Sequence, residues 1–476
     1  MKATDLTMLI ILILCPLLLT ACTVGPDYVR PTPVEAMPTV YKQLEGWKLA
    51  QPQDGQLTER WWEIYQDPVL NSLVEQVAVS NFNVAAAAAR FRQARAQVQS
   101  ARAGYFPTIS VGAAASRSQQ SENLGSRTIE TSPTSNFLLP LDLSWELDLW
   151  GRVKREVESS QASVQASAAD LAAVTLSIQA ELASNYFQLC VLDAQHQLLE
   201  STIEVYKKSL ELTSYRYAAG FALKTDTLQA ETQLKGTEAQ AFDIRLQRTQ
   251  LEHAIALLIG KPPEAFSLPS TALATAIPAI PTGLPSELLE RRPDIASAER
   301  RVAAANAQIG LAQAAYYPTV RLSAAVGYEA SQLSNLLNWP SRFWAIGPAL
   351  SETLVDGGLR SALSEQALAA YDATVANYQE AVLTGFREVE DNLAALSILE
   401  QEAQVRNQAV KAARQVVTIT TSQYEAGTVT YLSVLVVQAI ALANERIALD
   451  LIGRQLTASV LLVKALGGGW QPKEST

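Results

Sequence analysis

Cysteine and histidine are nearly missing from this chain: its 476 residues hold three of the first and two of the second. Cys15 and Cys22 sit in or at the end of an N-terminal apolar run, which leaves Cys190 by itself in the remainder. Neither an intrachain disulfide nor a cysteine metal site can then be assembled. His196 and His253 form no metal-type pair; His196 falls on the apolar seam of a long helix, where a packed or interface residue is expected, hydrogen-bonded to Asp193 three residues before it. A phosphate-binding P-loop, a Gly-x-Ser-x-Gly elbow and a His-Glu-x-x-His pattern are also absent, and Gly467-Gly468-Gly469 reads as a helix stop rather than a phosphate cradle. No nucleophile constellation for a hydrolase can be built from what is left. Positive charge is short too: 37 Lys and Arg against 47 Asp and Glu give a net charge of −10, which argues against a nucleic-acid partner. No internal apolar run reaches the length of a membrane-spanning helix, so membrane insertion after processing is expected through lipid or through strands.

The N-terminus carries a targeting signal. Lys2 is its positive start, Leu6 to Leu19 its apolar run, and Leu19-Thr20-Ala21-Cys22 its end. Residues 1–21 resemble a bacterial lipoprotein signal peptide, cleaved so that Cys22 is acylated, and Thr23 rather than Asp at the next position implies passage to the outer membrane. An uncleaved anchor and a plain secretory peptide are the other readings. Residues 22–67 are expected to be extended, held so by Pro31, Pro33 and Pro38. Helical periodicity starts after Asp67-Pro68 and runs to Tyr105 over roughly 38 residues, with Asn81-Phe82-Asn83 as a candidate break.

The stretch from Leu141 to Tyr217 changes period once. In Leu141-Asp142-Leu143-Ser144-Trp145-Glu146-Leu147-Asp148-Leu149 every odd residue is apolar and every even one polar, the mark of a strand with one greasy and one wet face. After Trp150-Gly151-Arg152 no Pro or Gly intervenes until Gly220, so roughly 65 residues can form one helix about 100 Å long. Asn185, Leu189, Leu192, His196, Leu199, Ile203, Tyr206 and Leu210 follow a heptad spacing within it. Asp142, Glu146 and Asp148 could pass for paired hydrolase carboxylates, but alternation makes them lumen-facing if the strand lines a pore, where they would favour cations.

The chain is one unit used twice. Ala101-Arg-Ala-Gly-Tyr-Phe-Pro-Thr-Ile109 recurs as Ala312-Gln-Ala-Ala-Tyr-Tyr-Pro-Thr-Val320, Tyr217-Ala-Ala-Gly220 as Tyr424-Glu-Ala-Gly427, and Leu258-Ile259-Gly260 as Ala465-Leu466-Gly467. Repeat 1 spans 68–260 and repeat 2 spans 286–467, each reading helix, strand, strand, very long helix, tight turn, shorter helix. A Pro-rich linker, 261–285, is expected to lie against the outside, and 468–476 form a tail. The predicted strands are Thr108 to Arg117, Phe137 to Leu149, Thr319 to Tyr328 and Phe343 to Leu354. Aromatics gather at their ends, as in the interfacial girdle of a membrane barrel, although a soluble sandwich would use them too. Four strands cannot close a barrel, so several chains must contribute.

Gly25-Pro26-Asp27-Tyr28 with Arg30-Pro31 after Cys22, Asp148-Leu149-Trp150-Gly151-Arg152, Asp356-Gly357-Gly358 and the paired Tyr-x-x-Gly turns resemble the outer membrane factor family. These are the TolC-like and OprM-like channels of efflux and export systems, and the likeness is greatest to their lipoprotein branch. The resemblance implies a mainly α fold with β: a homotrimer with a twelve-stranded outer-membrane β-barrel, four strands per chain, continuous with a twelve-helix periplasmic α-barrel. The short helix entering each strand pair would stack on the short helix leaving each Gly turn. The Gly220 and Gly427 turns would lie at the periplasmic tip, where the family has its gate and meets a membrane fusion (adaptor) protein.

Matched to that tip, Thr225 and Asp226 fall on one turn, and Tyr424, Glu425 and Leu432 on gate positions of the other. Where relatives often carry aspartates, this chain has Ser433 and Val436, so Leu432 is expected to supply an apolar constriction and Asp226 a ring of three acids. The resemblance implies a non-enzymatic channel, passing drugs or other small toxic compounds outward with an inner-membrane transporter of the resistance-nodulation-division type. Outer-membrane lipid is a further partner, no nucleic acid is expected, and the acyl groups on Cys22 are the only expected covalent addition. Export of proteins or a metabolite, and a periplasmic coiled-coil lipoprotein scaffold without a pore, are the competing readings.

Overall fold

The computed structural model describes residues 23–33, 42, 60–119, 121, 132–273, 277, 278, 280 and 291–470; the signal segment with Cys22 lies outside them. Its helices are α1 (Pro68–Ser80), α2 (Phe82–Ala103), α3 (Arg152–Ala218), α4 (Lys224–Leu258), α5 (Pro293–Ala314), α6 (Leu359–Glu425) and α7 (Tyr431–Ala465). The strands are β1 (Thr108–Val111), β2 (Ala114–Ser118), β3 (Thr134–Leu147), β4 (Thr319–Ala330) and β5 (Arg342–Ser351). The repeat is reproduced in length: α2 and α5 have 22 residues each, α3 and α6 have 67, α4 and α7 have 35. The chain divides into two compact units, one from 1–31, 91–166 and 298–378, the other from 32–90, 167–297 and 379–476.

The second unit is helical. α1 begins where Asp67 Oδ1 accepts hydrogen bonds from the Val69 and Leu70 amides as an N-cap, with Pro68 at the first helical position, where an N–H would have no intrahelical acceptor. Asp67 Oδ2 also accepts the Tyr186 hydroxyl at 2.7 Å, tying the cap to α3. Leu70, Val74, Val77, Leu182, Tyr186, Phe187, Leu189, Val389, Leu393, Leu456 and Val460 share one core with Trp61 and Trp62. Burial at about 25 cal/mol per Å² of apolar surface holds this bundle together.

The expected break falls at Asn81, and it does structural work there. Its Oδ1 accepts from the Asn83 and Val84 amides, capping α2, while its Nδ2 donates to Leu258 O at 2.7 Å and Ser80 Oγ donates to Ile259 O at 2.7 Å. The start of α2 is thereby joined to the end of α4. In the second copy Arg292 takes the part of Asn81, donating to Ala465 O at the end of α7 at 3.0 Å and pairing with Asp294 and Glu388. Burial by itself would raise the Asp294 carboxyl, but the Arg292 fork overrides it and holds it below the usual carboxylate range.

Three sequence expectations are corrected in this unit. The linker does not simply lie outside: Leu268 and Ile280 enter the core, because prolines stop a helix but leave apolar side chains free to insert. Arg248 clamps it through Leu268 O, while Asp193 accepts from Arg248 Nε at 2.6 Å and from the Thr271 amide at 3.3 Å. Asp193 therefore serves the linker rather than His196, which instead lies 3.7 Å from Glu200. Finally, α7 is long and apolar enough to cross a membrane by length and composition, although Ser433, Gln438 and Asn444 interrupt its apolar run in sequence. It is apolar on more than one side: Tyr431, Val434, Ala441 and Leu442 are buried while Leu432, Val436 and Ile440 are exposed in the single chain.

The first unit carries an antiparallel sheet in the order β1-β3-β4-β5, with β2 also paired to β3. The first predicted strand is interrupted at Gly112 but keeps its register, since Thr108 opposes Ser144 and Ala114 opposes Leu138. The sheet is thus four rows wide. β3 ends at Leu147, two residues before the expected Leu149, and β5 at Ser351 instead of Leu354. Beside the sheet the arm after residue 22 is held by Arg155, whose buried guanidinium donates to Val24 O, Gly25 O and Asp27 Oδ1, and by Asn306, which donates to Pro26 O.

Candidate channel surface and helix-turn site

Residues directly opposite in an antiparallel ladder share a face, so the register sorts the sheet. One face carries Ile109 and Val111 on β1, Leu139, Leu141, Leu143, Trp145 and Leu147 on β3, Val320, Leu322, Ala324, Val326 and Tyr328 on β4, and Trp344, Ile346, Pro348 and Leu350 on β5. It contains no charged residue between those rows. On β4 it covers Val320 to Tyr328, which matches the 9–11 residues a tilted strand needs to span a bilayer. The opposite face carries Ser110, Asp142, Ser144, Glu146, Arg321, Ser323 and Glu329. Trp150 stacks on Tyr317 with ring centroids 4.9 Å apart and donates to Pro318 O at 2.7 Å, which fixes an aromatic pair at the helix end of the sheet.

The three predicted lumen acids occupy different settings. Asp142 lies on the polar face opposite Ala325 and has no hydrogen-bond or ion-pair partner among the described residues. Glu146 shares that face but lies opposite Arg321 and 2.7 Å from Arg152 Nε, so its charge is compensated. Asp148 is a correction: it lies beyond the end of β3 and caps α3, accepting from the Val153 amide at 2.9 Å and the Lys154 amide at 2.8 Å. Alternation placed it on the strand because the helix cap interrupts the period with a residue of the same polarity.

The two Tyr-x-x-Gly turns close alike. Gly220 has φ +81° and Gly427 φ +77°, left-handed positions at which a side chain is strained. Phe221 N donates to Arg216 O at 2.8 Å and Thr428 N to Gln423 O at 3.0 Å, the outer bonds of two Schellman caps. Asp226 reaches back to the Leu223 amide at 3.2 Å and so caps α4, while Thr225, Glu425 and Leu432 are exposed. Tyr424 faces inward: it is buried against Tyr431 at 5.4 Å in an edge-on pair, in a small core with Ala230 and Val434. Cys22 lies outside the described residues.

Arg216 and Tyr431 were not singled out by the sequence, and Tyr206 was read only as a residue of the heptad seam. The Arg216 guanidinium sits 4.7 Å above the Tyr424 ring, and its Nη1 donates to Tyr424 O at 2.9 Å, joining the α3–α4 turn to the α6–α7 turn. Burial, with Tyr424, Tyr206 and Asp226 nearby, pushes the Tyr431 phenol up to about 12. Gln233 Nε2 donates to the Tyr206 hydroxyl at 3.2 Å, and burial raises that phenol as well. The available signal was an arginine one residue before the repeated Tyr-x-x-Gly in the first copy, with no counterpart in the second. Among the described residues no group of acids, cysteines or histidines has the arrangement of a metal site.

The outer membrane efflux protein family matches residues 73–261 and 284–468, one match for each repeat. The chain belongs to this family. It is 30% identical over 457 residues to the probable efflux pump outer membrane protein TtgC of Pseudomonas putida, covering 95% of this chain and 94% of that one. It is also 30% identical over 463 residues to the pyoverdine export outer membrane protein OpmQ of Pseudomonas aeruginosa, covering 95% and 96%. The solved outer-membrane channel OprN superposes with a TM-score of 0.88 at 31% identity, covering 95% of this chain and all of that one. VceC of Vibrio cholerae gives 0.80 at 30% identity, covering 86% and 98%. The family member described here is therefore an outer-membrane protein with a channel fold and serves as the outer-membrane component of an efflux pump.

Proposed function

We propose that three copies of the chain close a twelve-stranded barrel continuous with a twelve-helix periplasmic tunnel, and that this pore is the outer-membrane stage of a tripartite pump. One observation carries the reading: a four-row sheet with an unbroken apolar face and both edges unpaired among the described residues. Hydrocarbon tolerates no open strand edge, so a sheet of this kind can enter a bilayer only when further copies pair its edges. The exposed Val436 and Ile440 on α7 suit burial in the same assembly. A periplasmic membrane fusion (adaptor) protein and an inner-membrane transporter of the resistance-nodulation-division type complete the pump, and acyl chains on Cys22 anchor each subunit.

Cargo is small toxic compounds, a reading supported by relatives named for toluene, solvent and antibiotic efflux. OpmQ, named for pyoverdine export, supports metabolite export as the second reading. The tip opens when the α3–α4 and α6–α7 turns separate at Arg216 and Tyr424, two packed arrangements of one element. Leu432 supplies an apolar constriction there, and Asp226 combines helix capping with a ring of acids; unchanged single-channel conductance in both Asp226→Ala and Leu432→Ala would remove those two roles. The deciding test is the detergent-corrected mass of the extracted protein by light scattering. A trimer supports the pore, and a stable monomer overturns it. Deleting the protein in a strain stripped of parallel channels should raise sensitivity to several unrelated drugs, and unchanged sensitivity would favour metabolite export.

A further inference from the structure

The apolar face of the sheet ends in arginine on both of its edges. Extending the register along β2 puts Ala115 and Arg117 on that face, opposite Phe137 and Ser135, and on β5 the face ends at Arg342, opposite Tyr328. Both arginines are exposed, and both lie at the loop end of their strands, away from the helices that follow β3 and β5. Arg342 is held in place: its guanidinium lies over the Trp339 ring and its Nε donates to Trp339 O at 3.0 Å, leaving its two Nη groups without a partner among the described residues. The turn behind it is stiffened by Asn335, whose carbonyl accepts Ser341 Oγ at 2.8 Å and whose Oδ1 accepts Asn338 Nδ2 at 3.2 Å. Arg117 has no carboxylate partner among the described residues.

Charged side chains on the lipid side of a barrel are destabilising at mid-depth and tolerated only near the headgroups. An arginine there, with Tyr328, Trp339 and Trp344 at the same end, is matched by an anion at headgroup level; bidentate phosphate is the group a guanidinium fork fits best. β2 and β5 are opposite edges of one sheet, so closure by like copies sets Arg342 of one subunit on the same seam as Arg117 of the next. We propose that each subunit seam binds the phosphate of a lipid headgroup in the outer leaflet, through Arg342 and Arg117, and that this lipid fastens the seam. The proposal rests on the trimeric reading above.

The test uses the full-length lipidated protein in dodecyl maltoside micelles, whose sugar headgroups carry no phosphate, with and without diphosphoryl lipid A, read by native mass spectrometry and by the temperature at which the oligomer dissociates. Wild type should retain diphosphoryl lipid A and dissociate at a higher temperature with it. Enzymatically dephosphorylated lipid A should give neither effect, and millimolar inorganic phosphate should not displace the lipid. The Arg117→Gln/Arg342→Gln protein should bind about twenty-five-fold more weakly, about fivefold for each arginine near a charged lipid surface, while Arg117→Lys/Arg342→Lys, which keeps the charge but not the bidentate fork, should fall between it and wild type. Equal retention by the Gln variant, or equal retention of the dephosphorylated lipid, overturns the proposal with the trimer intact. Displacement by inorganic phosphate overturns the lipid as its source. A wild-type mass of one chain would instead overturn the trimeric reading itself.

Discussion

Among the described residues Arg216 is the one side chain that hydrogen-bonds across the two helix turns, and its removal should loosen the tip without unfolding the helices. In Arg216→Ala the bond to Tyr424 O at 2.9 Å is lost together with the contact 4.7 Å above the Tyr424 ring. A hydrogen bond from a charged donor is worth about 1.5–3 kcal/mol and a partly exposed cation–π contact about 0.5–1, so a net of about 2 kcal/mol per chain is expected once the half-exposed setting is discounted. At 1.4 kcal/mol per tenfold that is about a thirtyfold rise in turn separation for each subunit. The Schellman caps and the Tyr424–Tyr431 core remain, so helix content should be unchanged. Single-channel recordings in planar bilayers should show larger and longer openings for Arg216→Ala, an intermediate effect for Arg216→Lys, and none for the neighbouring Tyr215→Ala. Amide exchange at the Gly220 and Gly427 turns should accelerate together. Wild-type conductance with unaltered exchange at both turns would refute the latch.

Most of the architecture could be read from the sequence because it rests on period and repetition. Leu141 to Leu147 alternates and α3 does not, and a second copy at nearly constant offset repeats the signal of each element. Strand ends were less legible. Asp148 continues the alternation of β3 by composition but belongs to the cap of α3, since a polar residue serves either purpose and only the backbone decides. The stacked junction shows the same limit: Asn81 and Arg292 perform one task with unrelated chemistry, so the repeat is conserved in geometry where it diverges in letters. The tip was the least legible part. Tyr424 was placed by its neighbouring glycine, but its partner Arg216 is 208 residues away in the chain, and no local pattern announces a contact that only the fold creates.

Glycines of the same repeat should differ in their tolerance of alanine. Gly220→Ala, whose added methyl would meet nothing within 4 Å, should cost about 1 kcal/mol of strain at positive φ. Gly260→Ala would drive that methyl into Ser80 O in the α2–α4 junction, so its thermal midpoint should fall several-fold further than that of Gly220→Ala; equal losses would show that the junction can relax. Reversal-potential measurements should find less cation preference in Asp142→Asn, whose carboxylate is unpaired, and little change in Asp148→Asn, whose carboxylate caps a helix. A larger effect at Asp148 would return it to the lumen. Acid should weaken the second junction through Asp294. Its carboxyl is depressed in the folded state by Arg292 at 2.6 Å, so the ion pair contributes in full above the carboxyl's unfolded value of about 3.9 and its contribution is lost as pH falls through the lower folded value. Arg292 stays protonated throughout, and below that range it is left a buried cation without its Asp294 partner. The thermal midpoint of wild type should therefore drop, as pH falls below about 4, more steeply than that of Asp294→Asn, which has already lost the pair at neutral pH. Parallel curves for the two proteins would mean that the Arg292–Asp294 pair contributes nothing to holding α5 on the end of α7.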